Sequence, residues 1–213
     1  RPHYLVKKAT LDLNIENDNS SVIQTKNLKI FIPIKNLYSR SNLNIEAIEI
    51  EKANINYKFD DILDFRNHLY YKINKPIYIK KSKFFLLDQN NKVLLISPIK
   101  KFNYLINNKS NSKELKIKGN IFDIDFHSYW KRSYDDYKNS YIEIKLKNPN
   151  LYIKNFFSYE DKSNFKGNSS ISFLNEDILI NYLKKNNKIF INSTNENKNK
   201  NQKIKLNSKI ELK

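Results

Sequence analysis

The sequence of 213 residues has no cysteine, no methionine and only two glycines, Gly119 and Gly167. The absence of cysteine excludes disulfide frameworks, thiolate zinc sites and cysteine-based catalysis. Two isolated glycines exclude the glycine-rich loops that bind phosphate groups. The longest apolar runs, 84–87 and 93–96, are far shorter than the roughly 20 residues that a membrane-spanning helix needs. Since the chain does not begin with methionine, we interpret it as a fragment of a longer protein.

What the sequence has in excess is positive charge, with a formal net charge of +17 at pH 7. A basic chain suggests a nucleic-acid or anionic-membrane partner. However, Lys, Asn, Ile, Phe and Tyr are over-used together, which is the signature of A/T-rich codons, and the lysines are spread along the chain. We therefore predict no nucleic-acid partner, and keep a basic nucleic-acid-binding module as an alternative.

The dominant pattern is the alternation of apolar and polar residues, which is typical of strands with one dry and one wet face. In the first segment Ala9, Leu11, Leu13 and Ile15 share one face. Later segments alternate in the same way, with these apolar residues: Leu28, Ile30, Ile32 and Ile34; Phe122, Ile124, Phe126 and Trp130; Ile142, Ile144 and Leu146. The pattern predicts an all-β protein built on a long curved antiparallel sheet, with 1–213 forming a single repeating module.

Two segments depart from the alternation. Asp60 and Asp61 can cap a helix in which Ile62, Phe65 and Leu69 have helical spacing. We therefore predict one short amphipathic helix over 60–71. Residues 192–202 contain no apolar side chain and are predicted to form a disordered loop between two strands.

A ten-residue motif occurs four times: YLVKKATLDL from Tyr4, IEIEKANINY from Ile48, IYIKKSKFFL from Ile77 and IKLKNPNLYI from Ile144. The small or proline positions are Ala9, Ala53, Ser82 and Pro149. The apolar residue before each lies three positions away, so the apolar face changes phase by one residue. A phase change inside a strand predicts a β-bulge or a bend at each of these positions.

Candidate catalytic and metal-binding groups are few. Asp123, Asp125 and His127 lie on alternate positions of one predicted strand, too far apart for all three to reach one ion, so no metal site is predicted. Asp60, Asp61 and Asp64 near His68 suggest acid–base chemistry, but Asp60 and Asp61 are better explained as helix-start residues. The stretch HLYYKINKPIYIKK interleaves aromatic residues with lysine, as in single-strand nucleic-acid binding, but the alternation favours a sheet. We predict no enzyme activity and no cofactor.

Several stretches resemble the AsmA-like family, which is related in architecture to chorein-type bridge-like lipid transfer proteins. They are NLKIFIPIKNLYSRSNLNIEAIEIEKANINY from Asn27, IKKSKFFLLDQNNKVLLI from Ile79, LKIKGNIFDIDFHSYW from Leu115 and NFKGNSSISF from Asn164. The resemblance is one of pattern and covers nearly the whole chain. It implies a U-shaped β-groove, polar outside and apolar within, that guides phospholipid acyl chains for outer-membrane homeostasis.

The resemblance also implies a periplasmic protein, anchored in the inner membrane by an N-terminal helix absent from this sequence, with possible envelope protein partners. The predicted lipid-groove residues are Leu11, Leu13, Ile30, Ile32, Ile50, Ile55, Phe84, Phe122, Ile124, Phe126 and Ile144. Besides nucleic-acid binding, the alternative is a structural or adhesive envelope β-protein whose apolar face is covered by its own chain or by a partner.

Overall fold

The computed structural model describes residues 2–12, 22–34, 44–59, 74–133, 139–160, 164–186, 188–197 and 202–211. These residues form thirteen β-strands and no α-helix, which confirms the predicted all-β class. The predicted helix over 60–71 lies outside the described residues. The strands are β1 (His3–Asp12), β2 (Val22–Phe31), β3 (Ala47–Lys58), β4 (Ile77–Leu87), β5 (Val93–Asn107), β6 (Ser112–Ile121), β7 (Ile124–Ser133), β8 (Asn139–Leu146), β9 (Leu151–Tyr159), β10 (Phe165–Phe173), β11 (Glu176–Lys185), β12 (Lys188–Asn197) and β13 (Gln202–Glu211).

The strands are hydrogen bonded in chain order, from β1 to β13. Antiparallel pairing joins β1 to β2, β2 to β3, β4 to β5, and each neighbouring pair from β7 to β13. The prediction of a purely antiparallel sheet is wrong at one place, because β3 and β4 run parallel. Parallel neighbours need a crossover connection of about a dozen residues or more, and the connection between Lys58 and Ile77 has that length.

Backbone contacts divide the chain into two compact units. Unit 1 comprises residues 1–106 and 116–123, and unit 2 comprises residues 107–115 and 124–213. Each unit is described by itself below. The interpretation of 1–213 as one repeating module stays a prediction.

Unit 1 contains a closed hydrophobic core on one face of its sheet. Ile50 is 3% exposed and lies between Leu28 of β2 and Ile79 of β4 in the strand register. Ala53 and Ile55 continue this core further along β3. From Ile50 to Ala53 the offset is three residues, so the buried face changes phase as the motif predicts.

The phase change coincides with an interruption of the strand ladders that crosses five strands. The antiparallel ladders skip Lys8, Lys26, Lys52, Lys81 and Lys100, and the parallel β3–β4 ladder also skips Ala53 and Ser82. Lys8, Lys52 and Lys81 have positive φ angles of 57°, 56° and 51°. The bends predicted at Ala9, Ala53 and Ser82 are therefore confirmed.

Buried hydroxyl groups replace the ladder hydrogen bonds at this interruption. The Ala53 N–H donates to Ser82 Oγ at 3.0 Å, and Ser82 Oγ donates to the Lys80 carbonyl at 2.9 Å. In β2 the Thr25 hydroxyl lies 2.9 Å from the Glu51 carbonyl oxygen. The small residues that follow the lysines in β3 and β4, Ala53 and Ser82, are therefore buried at this interruption.

We expect Ser82→Ala to lower the free energy of unfolding by about 1–3 kcal/mol, because it leaves the buried Ala53 N–H and Lys80 carbonyl without their partner. Urea unfolding followed by circular dichroism measures this change. The control is Ser208→Ala on the exposed strand β13, which should stay within about 0.5 kcal/mol of the parent. Equal effects from both substitutions would contradict the role given to the Ser82 hydroxyl.

The bend predicted at Pro149 is wrong. Residues 147–150 form the turn between β8 and β9, so Ile144 and Tyr152 belong to two antiparallel strands and not to one kinked strand. Proline has no N–H to donate to a ladder, and a turn accommodates it without losing a hydrogen bond. The fourth copy of the motif is thus a hairpin.

The disordered loop predicted over 192–202 is also wrong for residues 192–197 and for Gln202, which begins β13. Residues 192–197 lie in β12 and pair with both β11 and β13. Polar side chains do not prevent this, because both backbone edges of β12 are satisfied by neighbouring strands. Residues 198–201 lie outside the described residues.

The strand predicted to run through Phe122 is interrupted there. Phe122 and Asp123 form a two-residue turn between β6 and β7, with φ angles of 49° and 60°. A tight hairpin of this kind requires positive φ at both central residues. The predicted groove residue Phe122 therefore lies at a turn, with 76% of its surface exposed.

Candidate binding face

One face of unit 2 carries apolar side chains on every strand from β7 to β13. The strand registers place these residues on the same side, which we call the apolar face. Its members are Ile124, Phe126, Trp130, Ile142, Ile144, Leu146, Leu151, Ile153, Phe157, Tyr159, Phe165, Ile171, Phe173, Ile178, Ile180, Tyr182, Ile189, Ile191, Ile204, Leu206 and Ile210.

The most continuous part of this face runs across the strands. Ile144, Ile153, Ile171 and Ile178 are direct register partners on β8, β9, β10 and β11. Neighbouring strands lie about 4.8 Å apart, so β-branched side chains at this spacing pack against one another. We call these four residues the isoleucine row.

The apolar face differs from the core of unit 1 in its exposure. Among the described residues, all the buried hydrophobic side chains belong to unit 1 and none to unit 2. The four residues of the isoleucine row are half-buried, and Ile204 and Leu206 on β13 are 65% and 62% exposed. The apolar face is therefore accessible from solvent, whereas the apolar face of unit 1 is closed.

A polar network lies within the apolar face. Asn155 Oδ1 accepts hydrogen bonds from Ser169 Oγ at 2.9 Å and from the Tyr182 hydroxyl at 2.8 Å. Burial raises the pKa of Tyr182, although its hydrogen bond to Asn155 acts in the opposite direction. The hydroxyl consequently remains a neutral donor at physiological pH.

Gly167 provides the space for this network. A Cβ atom added there would lie 2.3 Å from the Tyr182 hydroxyl oxygen and 2.5 Å from the Phe156 carbonyl oxygen. The Phe156 carbonyl oxygen belongs to the backbone, so it cannot move away by a change of rotamer as a side chain can. The glycine thus allows the Tyr182 ring to cross β10 and reach Asn155.

We expect Gly167→Ala to destabilise unit 2 by about 1–3 kcal/mol, as overpacking does in other well-packed sites. Thermal unfolding followed by near-ultraviolet circular dichroism, which reports on the tyrosine environment, measures the change. Asn168→Ala, an exposed neighbour on the opposite face, is the matched control and should have little effect. If the Gly167→Ala protein were as stable as the parent, the Tyr182 side chain would have to adopt another conformation that avoids the added methyl group.

Aromatic rings border the apolar face at one side. Phe157 packs against Tyr159 at 5.6 Å, Tyr159 against Phe165 at 5.7 Å, and Phe165 against Tyr182 at 6.0 Å between ring centroids. The Lys184 ammonium lies 5.9 Å from the Phe165 ring centroid. A cation at the rim of an apolar surface is suited to an amphiphile with an anionic head group.

The opposite face of unit 2 carries the ion pairs of this unit together with the exposed apolar residues Phe156, Leu179 and Phe190. Tyr141 donates a hydrogen bond of 2.8 Å to Glu143, and Lys145 forms a 2.9 Å ion pair with the same carboxylate. The hydrogen bonds from Lys145 and Tyr141 hold the pKa of Glu143 below its ordinary value, and the Glu143 hydrogen bond raises the pKa of Lys145. Burial, and then Glu143, raise the pKa of Tyr141. All three groups are thereby held in their ordinary charge states.

An open cleft of about 500 Å³ is lined by His127, Lys145, Tyr152 and Ser172 of this face, together with Leu146, Leu151 and Leu174. The Lys145 ammonium lies 4.7 Å from the centroid of the Tyr152 ring. Asp123 lies in the β6–β7 turn and not on the strand that carries Asp125 and His127. Among the described residues, no group of three or more potential metal ligands comes together.

The predicted groove residues fall into four places. Leu11, Ile30, Ile32, Ile50, Ile55 and Phe84 lie in unit 1, where Ile32, Ile50 and Ile55 are buried and Leu11, Ile30 and Phe84 pack against the core. Ile124, Phe126 and Ile144 lie on the apolar face of unit 2. Phe122 lies in a turn, and Leu13 lies outside the described residues.

Sequence reasoning missed Ile153, Ile171 and Ile178, although the alternation in 151–153 and 178–182 contained the signal.

Comparison with known protein families, with curated proteins and with solved structures finds no match. In the part of the chain that the structure describes, no helix is long and apolar enough to span a membrane.

Proposed function

We propose that this chain is a lipid-binding or lipid-transfer module of a bacterial envelope protein, and that acyl chains bind along the apolar face of unit 2. The observation that carries the proposal is the combination of continuity and exposure. Each strand from β7 to β13 has apolar residues on this face, and the isoleucine row, which crosses β8 to β11 in direct register, is only half-buried. Exposed apolar patches of this kind mark interaction surfaces.

The energetics of such a face suit acyl chains. Each methylene group removed from water contributes about 0.8 kcal/mol, without any directional requirement. The isoleucine row offers contact along a line that crosses the strands, and Lys184 at the rim can meet an anionic head group. Since no covalent step is involved, the function needs no catalytic group.

The wider setting is proposed from the resemblance to the AsmA-like family. In that setting the complete protein is anchored in the inner membrane by a helix preceding this sequence and extends into the periplasm. Phospholipid then passes along the apolar face in support of the outer membrane. Within the described residues, the apolar face is the part of the molecule that supports this role.

Native mass spectrometry of the protein purified from a bacterial envelope fraction tests the proposal. We expect phospholipid to remain bound under gentle conditions and to be recovered by organic extraction. A protein that carries no lipid, and that takes up none when incubated with phospholipid vesicles, would contradict the proposal. In that case a stable complex with an envelope protein covering the same face would support the structural alternative.

A further inference from the structure

We propose that unit 1 carries a second, independent binding site: a band of lysines that docks on an anionic bilayer surface. The band consists of two consecutive residues from each of five strands: Lys7–Lys8, Lys26–Asn27, Glu51–Lys52, Lys80–Lys81 and Lys100–Lys101. Eight of these ten residues are lysine.

The fold explains why this band is continuous. At the ladder interruption the core-facing residues are three positions apart, as between Ile50 and Ala53 or between Ile79 and Ser82. Two successive residues in each strand therefore lie between core positions and face away from the core. Neighbouring strands repeat this arrangement in register, about 4.8 Å apart, so the cations form a line across the sheet.

The residue type at the interruption is not what backbone geometry alone favours. Lys8, Lys52 and Lys81 adopt positive φ angles, where glycine or asparagine is less strained than lysine. In its turns the chain places Asn91, Asn111 and Asn186 at positive φ, and also Phe122 and Leu174. Lysine nevertheless occupies all three strained positions of the band, and also the facing positions Lys26 and Lys100. The recurrence of lysine at these positions makes the band cationic along its length.

Four lysines of the band have no opposing carboxylate among the described residues. Lys80 forms an ion pair with Glu49, and Glu51 lies 3.7 Å from Lys29, so the carboxylates at this face are engaged with cations. Among the described residues, no carboxylate forms an ion pair with Lys8, Lys26, Lys52 or Lys81. All four of these lysines are exposed.

Exposed apolar residues flank the band on the same side of the sheet. Leu5, opposite Lys29 in the register, is 49% exposed at the β1 end. Ile96 on β5, which precedes core-facing Ser97, is 49% exposed. Cations flanked by apolar side chains match a membrane interface, where lysines meet head groups and apolar residues enter the acyl boundary.

The same band is less suited to single-stranded nucleic acid. Binding of that class stacks bases on aromatic side chains interleaved with the cations. The ten residues of the band include no aromatic residue, and one aromatic residue of β4, Tyr78, lies at its edge. A lipid surface requires only the charge.

Vesicle co-sedimentation of the full chain tests this site, with vesicles of equal parts phosphatidylcholine and phosphatidylglycerol compared with phosphatidylcholine alone. We expect binding to the anionic vesicles only. Because each lysine near such a surface contributes about 1 kcal/mol, the triple variant Lys26→Gln, Lys52→Gln, Lys81→Gln should bind about a hundredfold more weakly. The matched control removes three exposed lysines outside the band: Lys92→Gln, Lys109→Gln and Lys205→Gln.

Arginine at positions 26, 52 and 81 should retain binding, which separates loss of charge from loss of fold. Equal weakening by both glutamine triples would overturn the site, since it would mean that only the total charge matters. Absence of binding to anionic vesicles, or tighter binding to a DNA duplex than to the vesicles at the same salt concentration, would also overturn it. The readout is docking on a surface and not lipid held in solution, so its failure is distinguishable from failure of the proposed function.

Discussion

Ile50→Asp is expected to unfold unit 1. Ile50 is 3% exposed and packs between Leu28 and Ile79, so the new carboxylate would be buried without a partner. Burying an unpaired charge costs several kcal/mol, against a total stability of about 5–15 kcal/mol for a typical protein. We expect a loss of about 4 kcal/mol or more, measured as a shift in the urea midpoint by circular dichroism.

The matched control is Asn54→Asp, which adds the same charge four residues further along β3 at an exposed position. Its effect should stay within about 0.5 kcal/mol. If Ile50→Asp were as stable as Asn54→Asp, the core described for unit 1 would not be closed. A groove open to lipid at Ile50 would then have to be considered again.

Unlike Ile50→Asp, the substitution Ile171→Asp is expected to cause little loss of stability and a large loss of lipid binding. Ile171 is half-buried at the centre of the isoleucine row, between Ile153 and Ile178. In the free protein, water can still reach the new carboxylate. Once an acyl chain covers the site the carboxylate loses that water, which is strongly unfavourable. We expect the affinity for a fluorescent phospholipid to fall about a hundredfold, equivalent to about 2.7 kcal/mol.

Ser170→Asp provides the control for this experiment. Ser170 is the preceding residue of β10, is also half-buried, and faces the opposite side of the sheet. It should leave the affinity within about twofold of the parent, a difference of about 0.4 kcal/mol. Equal losses from Ile171→Asp and Ser170→Asp would show that charge anywhere on β10 disturbs binding, and the apolar face would lose its assigned role.

The sequence predicted the features that depend on local pattern. Alternation identified the apolar residues of β8, such as Ile142 and Ile144, and the three-residue offset located the interruption at Ala53 and Ser82. Both are consequences of the two-residue period of a strand, which places every side chain once the backbone is extended. Nothing beyond neighbouring residues is needed to infer them.

The turns were harder to predict because the chain has so little glycine. Tight hairpins usually contain Asn-Gly or Asp-Gly, but here Phe122 and Asp123 have positive φ in one turn and Leu174 has positive φ in another. Because Phe122 continues the alternating sequence pattern of the neighbouring residues, the sequence predicts a strand at this position and not a turn. The parallel pairing of β3 and β4 was missed for a different reason, since alternation is the same whichever way a strand runs.

Exposure could not be predicted from the pattern at all. Ile50 and Ile171 occupy equivalent places in alternating strands, yet one is buried and the other half-buried. The difference depends on what packs over each face in the folded chain, which is a tertiary property. For this reason the predicted groove residues were concentrated in unit 1, whereas the accessible apolar face lies in unit 2.

Photo-cross-linking to phospholipid is the most direct test of the central claim, because it maps contact without adding charge. A photoreactive apolar residue is placed singly at positions 171, 170 and 50, and the protein is irradiated after loading with phospholipid. We predict lipid adducts from position 171, and few from position 170 on the opposite face or from position 50 in the closed core. Equal labelling from 171 and 170, or labelling from 50 in preference to 171, would contradict the assignment of the apolar face of unit 2 as the lipid site.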